Sequence, residues 1–344
     1  MVTYSLCLGR MIILKKFINN INDIVPEMLE GITLANPATL ERIDGFNIII
    51  RKNKKNNKVA LISGGGSGHE PAHAGYVGEG MLDAAVCGEI FTSPTPDQVI
   101  SAIHAVGTKQ GTLLIIKNYT GDVMNFEMAM EMAQSEGYTC DYVIVNDDLA
   151  LENSTFTTGK RGIAGTIFVH KIAGAKAETG ASLAEVKRVA EKVIANLGSY
   201  GISADACTVP ANGKKSFILA DNEVEIGLGI HGEPGVAKTT IKPVDEFVTD
   251  LYQKIKDHLK LTANDHVGVM INGLGGTPLM ELSIVARKTL KLLAADQVTC
   301  EKTFVGNYMT ALEMPGFSIS ILKLDQELTE LLKAKAVTPG MVVV

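Results

Sequence analysis

The sequence predicts an α/β chain of two α/β domains. The first, residues 1–198 with an N-terminal extension, has a mainly parallel sheet with helices on both faces; the second, residues 199–344, has a mixed, more antiparallel sheet with helices. Three observations predict it. A chain of 344 residues suits two domains at about 150 residues each. In the first half, continuous apolar runs alternate with helical stretches, the pattern of a parallel sheet covered on both faces. Beyond residue 198 the β-like runs are shorter and helices less regularly interleaved.

Residues 20–35 place Ile24, Met28 and Ile32 four apart, which predicts a helix. The basic stretch 51–58, RKNKKNNK, predicts a solvated turn. There follow a strand over 59–63, a glycine-rich turn, an apolar run over 81–88, a helix over 97–107, a strand over 112–117, a helix over 123–137, a strand over 142–146 and a helical tract over 160–180. A helix over 182–198 is expected to end at Gly198 as a C-cap glycine. Short β-like runs at 207–210, 216–220 and 224–232 open the second domain. After them come a helix over 244–260, a strand over 266–272, a helix over 278–295, and strands over 303–308 and 317–324.

With 46% hydrophobic residues and 34 glycines against 11 prolines without a period, the chain is neither disordered nor collagen-like. Lys plus Arg total 32 against 38 Asp plus Glu, a net charge of -6, so the basic face of a nucleic-acid binder is missing. Cys7, Cys87, Cys140, Cys207 and Cys300 are odd in number and far apart, which points to buried thiols in a reducing compartment and not to disulfides or zinc. No window reaches the ~18 apolar residues of a membrane span. Arg10, Lys15 and Lys16 interrupt the apolar N-terminus, so a cytoplasmic, unprocessed chain is expected, with Met1 or Met11 as its start.

Three glycine-punctuated segments carry the chemistry. The run Ser63 to Pro71, SGGGSGHEP, follows a strand; it is neither a P-loop, lacking the Lys, nor a dinucleotide fingerprint. Gly65, Gly66, Ser67 and Gly68 would let backbone N–H groups approach a ligand, and His69 follows them. A tight turn alone, the alternative, would rarely need four glycines and then a His. The second segment, KNYTGD, offers Lys117 as a strand-end cation and Asp122 as either a helix N-cap or a carboxylate able to take a proton from a substrate hydroxyl. The third, GLGIHGEPG, exposes His231 among glycines. His73 could line a pocket, whereas His104, His170, His258 and His266 are expected to pack or face solvent. No H-E-x-x-H spacing supports zinc.

Together SGGGSGHEP, CGEIFTSPTPD, KNYTGD, ACTVP, GIHGEPG, NGLGGTPLMEL and GFSISILKLD resemble the substrate-binding K subunits of dihydroxyacetone kinases, in order from about Phe17 to about Leu328. The resemblance implies that His231 bonds to the carbonyl carbon of dihydroxyacetone as a hemiaminal. It further implies that Asp122 activates the terminal hydroxyl, that His69 hydrogen-bonds the substrate, and that N–H groups around Gly66 hold its oxygens. The site would lie where the domains meet. Lys215 stands where relatives commonly have Pro, and the carboxyl end lacks a common Ala-Pro; neither touches these segments.

No nucleotide or metal site is legible in this sequence, and no all-helical nucleotide domain is expected with it. The resemblance therefore implies a separate L subunit that carries Mg²⁺ with ATP, or with ADP recharged by a phosphotransferase-system protein, and it implies a homodimer. A second expectation, from another class, is a non-catalytic sensor that passes the dihydroxyacetone signal to a transcriptional regulator. A dinucleotide-dependent oxidoreductase fails for want of the fingerprint.

Overall fold

The structure is a computed structural model that describes residues 14–151, 159–233 and 235–344. Met1, Met11, the extension around them, Cys7 and Pro234 lie outside the described residues. Helix α1 (Ile24–Ala35) buries Val25 and Leu29 fully and Met28 and Ile32 in part, so its apolar stripe is turned from the expected line.

Six strands make the first sheet: β1 (Leu40–Arg42), β2 (Ile48–Arg51), β3 (Ala60–Ser67), β4 (Ala84–Ile90), β5 (Thr112–Lys117) and β6 (Cys140–Val145), in the order β1-β2-β4-β3-β5-β6. Strands β4, β3, β5 and β6 are mutually parallel, and β2 runs antiparallel to both its neighbours. Helices α2 (Pro96–Val106) and α3 (Thr120–Ser135) cover one face, where Ile62, Leu114 and Ile116 meet Val99, Ile103 and Phe126. The alternate residues Leu61, Leu113 and Ile115 face the other way, against α1, α4 (Thr166–Glu178) and α5 (Leu183–Ala195). Burial on both faces explains why these strands read as continuous apolar runs.

The sequence reading overlooked β1 and β2, and it took the basic stretch behind them to be wholly solvated. Arg51 and Lys58 are in fact buried. Lys58 bonds the Asp83 carboxylate, which Arg51 approaches to 3.8 Å while also bonding Glu178 at 2.5 Å. The helical tract expected from residue 160 begins only at Thr166, because the Asp147 carboxylate accepts the N–H groups of Ile163 and Gly165 at 2.8 and 2.9 Å and holds that segment as a turn. Helix α5 ends at Ala195 on Asn196. Gly198 is therefore not its cap; it lies in β7, where a Cβ would come within 2.9 Å of Leu149.

β7 (Leu197–Ser203) opens the second sheet. After a small hairpin, β8 (Thr208–Val209) with β9 (Lys214–Lys215), the sheet gains β10 (Glu223–Ile226), β11 (Ala237–Thr240), β12 (His266–Gly273), β13 (Thr299–Gly306) and β14 (Gly316–Leu324). Its order is β11-β10-β7-β14-β12-β13, antiparallel except for β12 with β13. Residues 216–220 form no strand, and 224–232 are extended only to Ile226. Helices α6 (Val244–Leu259) and α7 (Leu279–Ala295) cover one face. On the other face Met270 and Leu322 join α8 (Gln326–Lys333) and α4 in the same core as the first sheet. Helix α4 is buried nearly all round, carrying His170 and Lys171 inside with its apolar residues, and it cements the two sheets together. The tail, β15 (Ala336–Val337) with β16 (Val342–Val343), packs on the 75–80 loop.

The cysteines Cys87, Cys140, Cys207 and Cys300 are free. Among the described residues no helix is long and apolar enough to cross a membrane, and no cluster of three metal-ligating side chains occurs.

Candidate active site

The carboxyl ends of the adjacent parallel strands β4, β3 and β5 open toward one cleft of about 920 Å³, and the loop after β10 closes its far side. Ligands gather at such strand ends because the loops there can diverge. The cleft wall includes Gly66, Ser93, Tyr119, Asp122, His231 and Glu233.

Gly65 has φ +143, a conformation that side chains resist, and a Cβ there would lie 2.6 Å from Lys117 Nζ and 3.1 Å from Asp122 Oδ2. The glycine run thus admits a buried ammonium and carboxylate, themselves 3.6 Å apart, directly behind β3. Asp122 sits in the first turn of α3, after the N-cap Tyr119, so it is not the N-cap; its Oδ1 accepts from the Ser93 hydroxyl instead. Burial raises the Asp122 carboxyl above the usual range, and Lys117 and Ser93 pull against that shift. Of the glycine loop, Gly66 faces the cleft, whereas the Ser67 hydroxyl donates to Gly88 O at 2.7 Å behind it.

His69 is fully buried, and its Nδ1 lies 2.8 Å from the Thr310 carbonyl, which can only accept. Nδ1 therefore carries the proton, leaving Nε2 with a free lone pair and no partner among the described residues. Burial, with the Lys117 charge behind it, pushes this imidazole down to about 3. Thr310 belongs to the loop between β13 and β14, which also bonds the backbone of Gly68 and His69. The second sheet thereby fixes a residue of the first.

His231 projects into the cleft with its ring centroid 4.8 Å from His69, 4.3 Å from Tyr119 and 5.5 Å from Phe91. Burial, then His69, Lys117 and Arg161, hold its imidazole well below its ordinary range, so it is neutral at neutral pH.

A Dak1 domain model matches residues 30–340. The chain belongs to the Dak1 family. Among Dak1 relatives, it is 52% identical over 314 residues to the PTS-dependent dihydroxyacetone kinase 1, dihydroxyacetone-binding subunit DhaK, of Listeria innocua, which covers 91% of this chain and 95% of that protein. With the PEP-dependent dihydroxyacetone kinase, dihydroxyacetone-binding subunit DhaK, of Escherichia coli, the identity is 40% over 352 residues, 95% of this chain and 99% of that one. The solved dihydroxyacetone kinase of C. freundii superposes with a TM-score of 0.88 at 37% identity, over 96% of this chain and 61% of that one. The dihydroxyacetone kinase operon co-activator DhaQ gives 0.86 at 35%, over 91% and 96%. The two-sheet α/β architecture expected from the sequence is the one these Dak1 structures share.

In this Dak1 chain, Asp122, Gly66 and His231 line one cleft, with His69 and Lys117 immediately behind. His73 does not line that cleft: its Nδ1 pairs with His170 Nε2 at 2.9 Å inside the core. His104 and His266 sit on Glu136 and Glu301 at the surface. Sequence reasoning missed Ser93, Tyr119 and Glu233, although each lies inside a motif it had singled out. It also missed Arg161, whose KRGIAG context gives no signal. A second groove, of about 910 Å³, runs between β6, α5 and His258. Of its two lysines, Lys187 is already paired with Asp141 at 2.7 Å.

Proposed function

We propose that this chain is the dihydroxyacetone-binding subunit of a two-component dihydroxyacetone kinase. The observation that carries the reading is a neutral His231 opening into the same cleft as the Asp122 carboxylate. A lone pair on one ring nitrogen of His231 attacks the carbonyl carbon of dihydroxyacetone. The C=O π pair moves to oxygen, which gains the proton given up by the other ring nitrogen, and a neutral hemiaminal results. Such capture selects ketones over glycerol, whose hydroxyls are similar but which has no carbonyl to attack.

His69 Nε2, unprotonated, accepts a hydrogen bond from the substrate, and N–H groups around Gly66 hold its oxygens. Asp122 accepts the proton of the terminal hydroxyl as that oxygen bonds to phosphorus. The phosphoryl group comes from Mg²⁺-bound ATP, or ADP recharged by a phosphotransferase-system protein, on a partner L subunit, and the bond to the nucleotide breaks with its electron pair. Reversal of the hemiaminal step frees dihydroxyacetone phosphate. The reading includes a homodimer in the cytoplasm, a role in glycerol metabolism, and a functional division of the chain near residue 198.

Similarity to the co-activator DhaQ supports a second reading, a sensor that captures dihydroxyacetone and signals to a transcriptional regulator. The readings part at the Ser93–Asp122 pair, since capture alone has no use for a proton acceptor. Purified chain mixed with an L subunit, Mg²⁺-ATP and dihydroxyacetone tests them. The kinase reading expects dihydroxyacetone phosphate. An adduct without product, beside a partner active with another K subunit, leaves the sensor.

A further inference from the structure

His231 lies on a loop that should be loose, with glycines at 227, 229, 232 and 235. Yet both ends of its tip are tied to one buried guanidinium. The backbone N–H of His231 donates to Glu233 Oε2 at 2.8 Å, across Gly232 with φ +75. The other carboxylate oxygen, Oε1, lies 3.3 Å from Arg161 Nη1. Arg161 is fully buried; its Nε donates to Asp148 Oδ2 at 2.7 Å, and its Nη2 donates to Gly227 O at 2.8 Å. Asp148, just after β6, roots the chain in the first sheet, and Asp148 N donates to Arg161 O at 3.0 Å.

A second observation shows that room is kept for this arrangement. A Cβ on Gly229 would sit 1.8 Å from Glu233 Oε1 and 2.8 Å from Arg161 Nη1. A buried ion cluster is weak evidence for stability, because apolar side chains of similar volume serve as well or better. What the cluster supplies is direction: the planar fork of an arginine can hold three acceptors at fixed angles, which a lysine cannot.

We propose that Glu233 is a positioning residue for carbonyl capture: fixed by Arg161, it holds the His231 backbone so that the imidazole meets the substrate carbon at one angle. The proposal rests on the capture reading above. With the backbone held, the Tyr119, His69 and Phe91 rings leave the His231 ring little freedom. Attack geometry of this kind is worth large factors in rate and equilibrium.

The test compares the full chain with Glu233→Ala, Glu233→Gln and Arg161→Lys, each kept well below its own melting temperature. Dihydroxyacetone adduct is followed by intact mass, and exchange of the His231 amide hydrogen by NMR. Removing a hydrogen bond to a charged group costs about 10- to 100-fold, so Glu233→Ala should lower adduct occupancy by that factor. Glu233→Gln, which still accepts the His231 N–H, should recover much of it, a rescue that general destabilisation does not give. The His231 amide should exchange slowly in the parent and fast in Glu233→Ala. Equal adduct occupancy in the parent and folded Glu233→Ala overturns the proposal, as does an unprotected His231 amide in the parent. Absence of adduct in the parent counts against the capture reading instead, and the amide exchange still decides whether the latch exists.

Discussion

The imidazoles of His69 and His231 meet edge to face, centroids 4.8 Å apart, although one hangs from the end of β3 in the first sheet and the other from the loop after β10 in the second. Both are neutral, because burial next to the Lys117 ammonium makes a further positive charge expensive. The pair sits at the junction of the two sheets, and neither sheet builds it alone.

The proposed function gives Asp122 and His231 separable duties. Asp122→Asn keeps the shape of the first turn of α3 and the Ser93 contact but removes the proton acceptor. It should retain the adduct while lowering phosphoryl transfer by about 10²- to 10⁴-fold. Transfer at the parent rate, measured with a proven L subunit, would remove Asp122 from the proton-transfer role.

Stability should fall with acid. His69 and His170 are each pushed down to about 3, and His73 and His231 also lie well below 6.5, with burial as the first cause throughout. On unfolding each returns to about 6.5, so below that pH the unfolded chain binds more protons and stability drops, by up to about 1.4 kcal/mol per pH unit for each histidine. Four carboxyls, Glu70, Asp122, Asp147 and Asp148, are raised by burial and oppose this by taking protons in the folded state first, Asp148 at about 6, the low end of the histidine window. The thermal midpoint should therefore decline between about pH 7.5 and about pH 6. A flat or rising midpoint would contradict the neutral-histidine assignment.

Gly65→Ala should harm both fold and site. Its φ of +143 disfavours any side chain, and the new methyl would strike Lys117 Nζ. Strain of this kind costs about 1 to 3 kcal/mol, which denaturant unfolding would read, and phosphoryl transfer should fall further than the stability loss explains because Lys117 and Asp122 must shift. An unperturbed variant would mean that the glycine run has no part in placing that pair.

Much of this was legible in the sequence because each signal was local. The alternating burial of Leu61 with Ile62 and of Leu113 with Leu114 writes the parallel sheet into continuous apolar runs, and the glycine loops mark its strand ends. The short strand β2 was hidden because Arg51 ends it and Lys58 follows, and charge reads as solvent exposure unless the distant Asp83 is known to meet it. Arg161 was hidden for the same reason. Its partners Asp148, Gly227 and Glu233 come together only when the two sheets do. Asp122 read equally well as a helix cap, and only Ser93, brought over from the β4 end, shows its carboxylate occupied elsewhere.

The most direct test of the account is NMR of the chain labelled with nitrogen-15 in histidine and given dihydroxyacetone labelled with carbon-13 at its central carbon. A one-bond carbon–nitrogen coupling at a tetrahedral carbon, absent in His231→Ala, is the predicted result. A ketone or hydrate signal without that coupling, in a protein that still retains the ligand, would contradict covalent capture at His231.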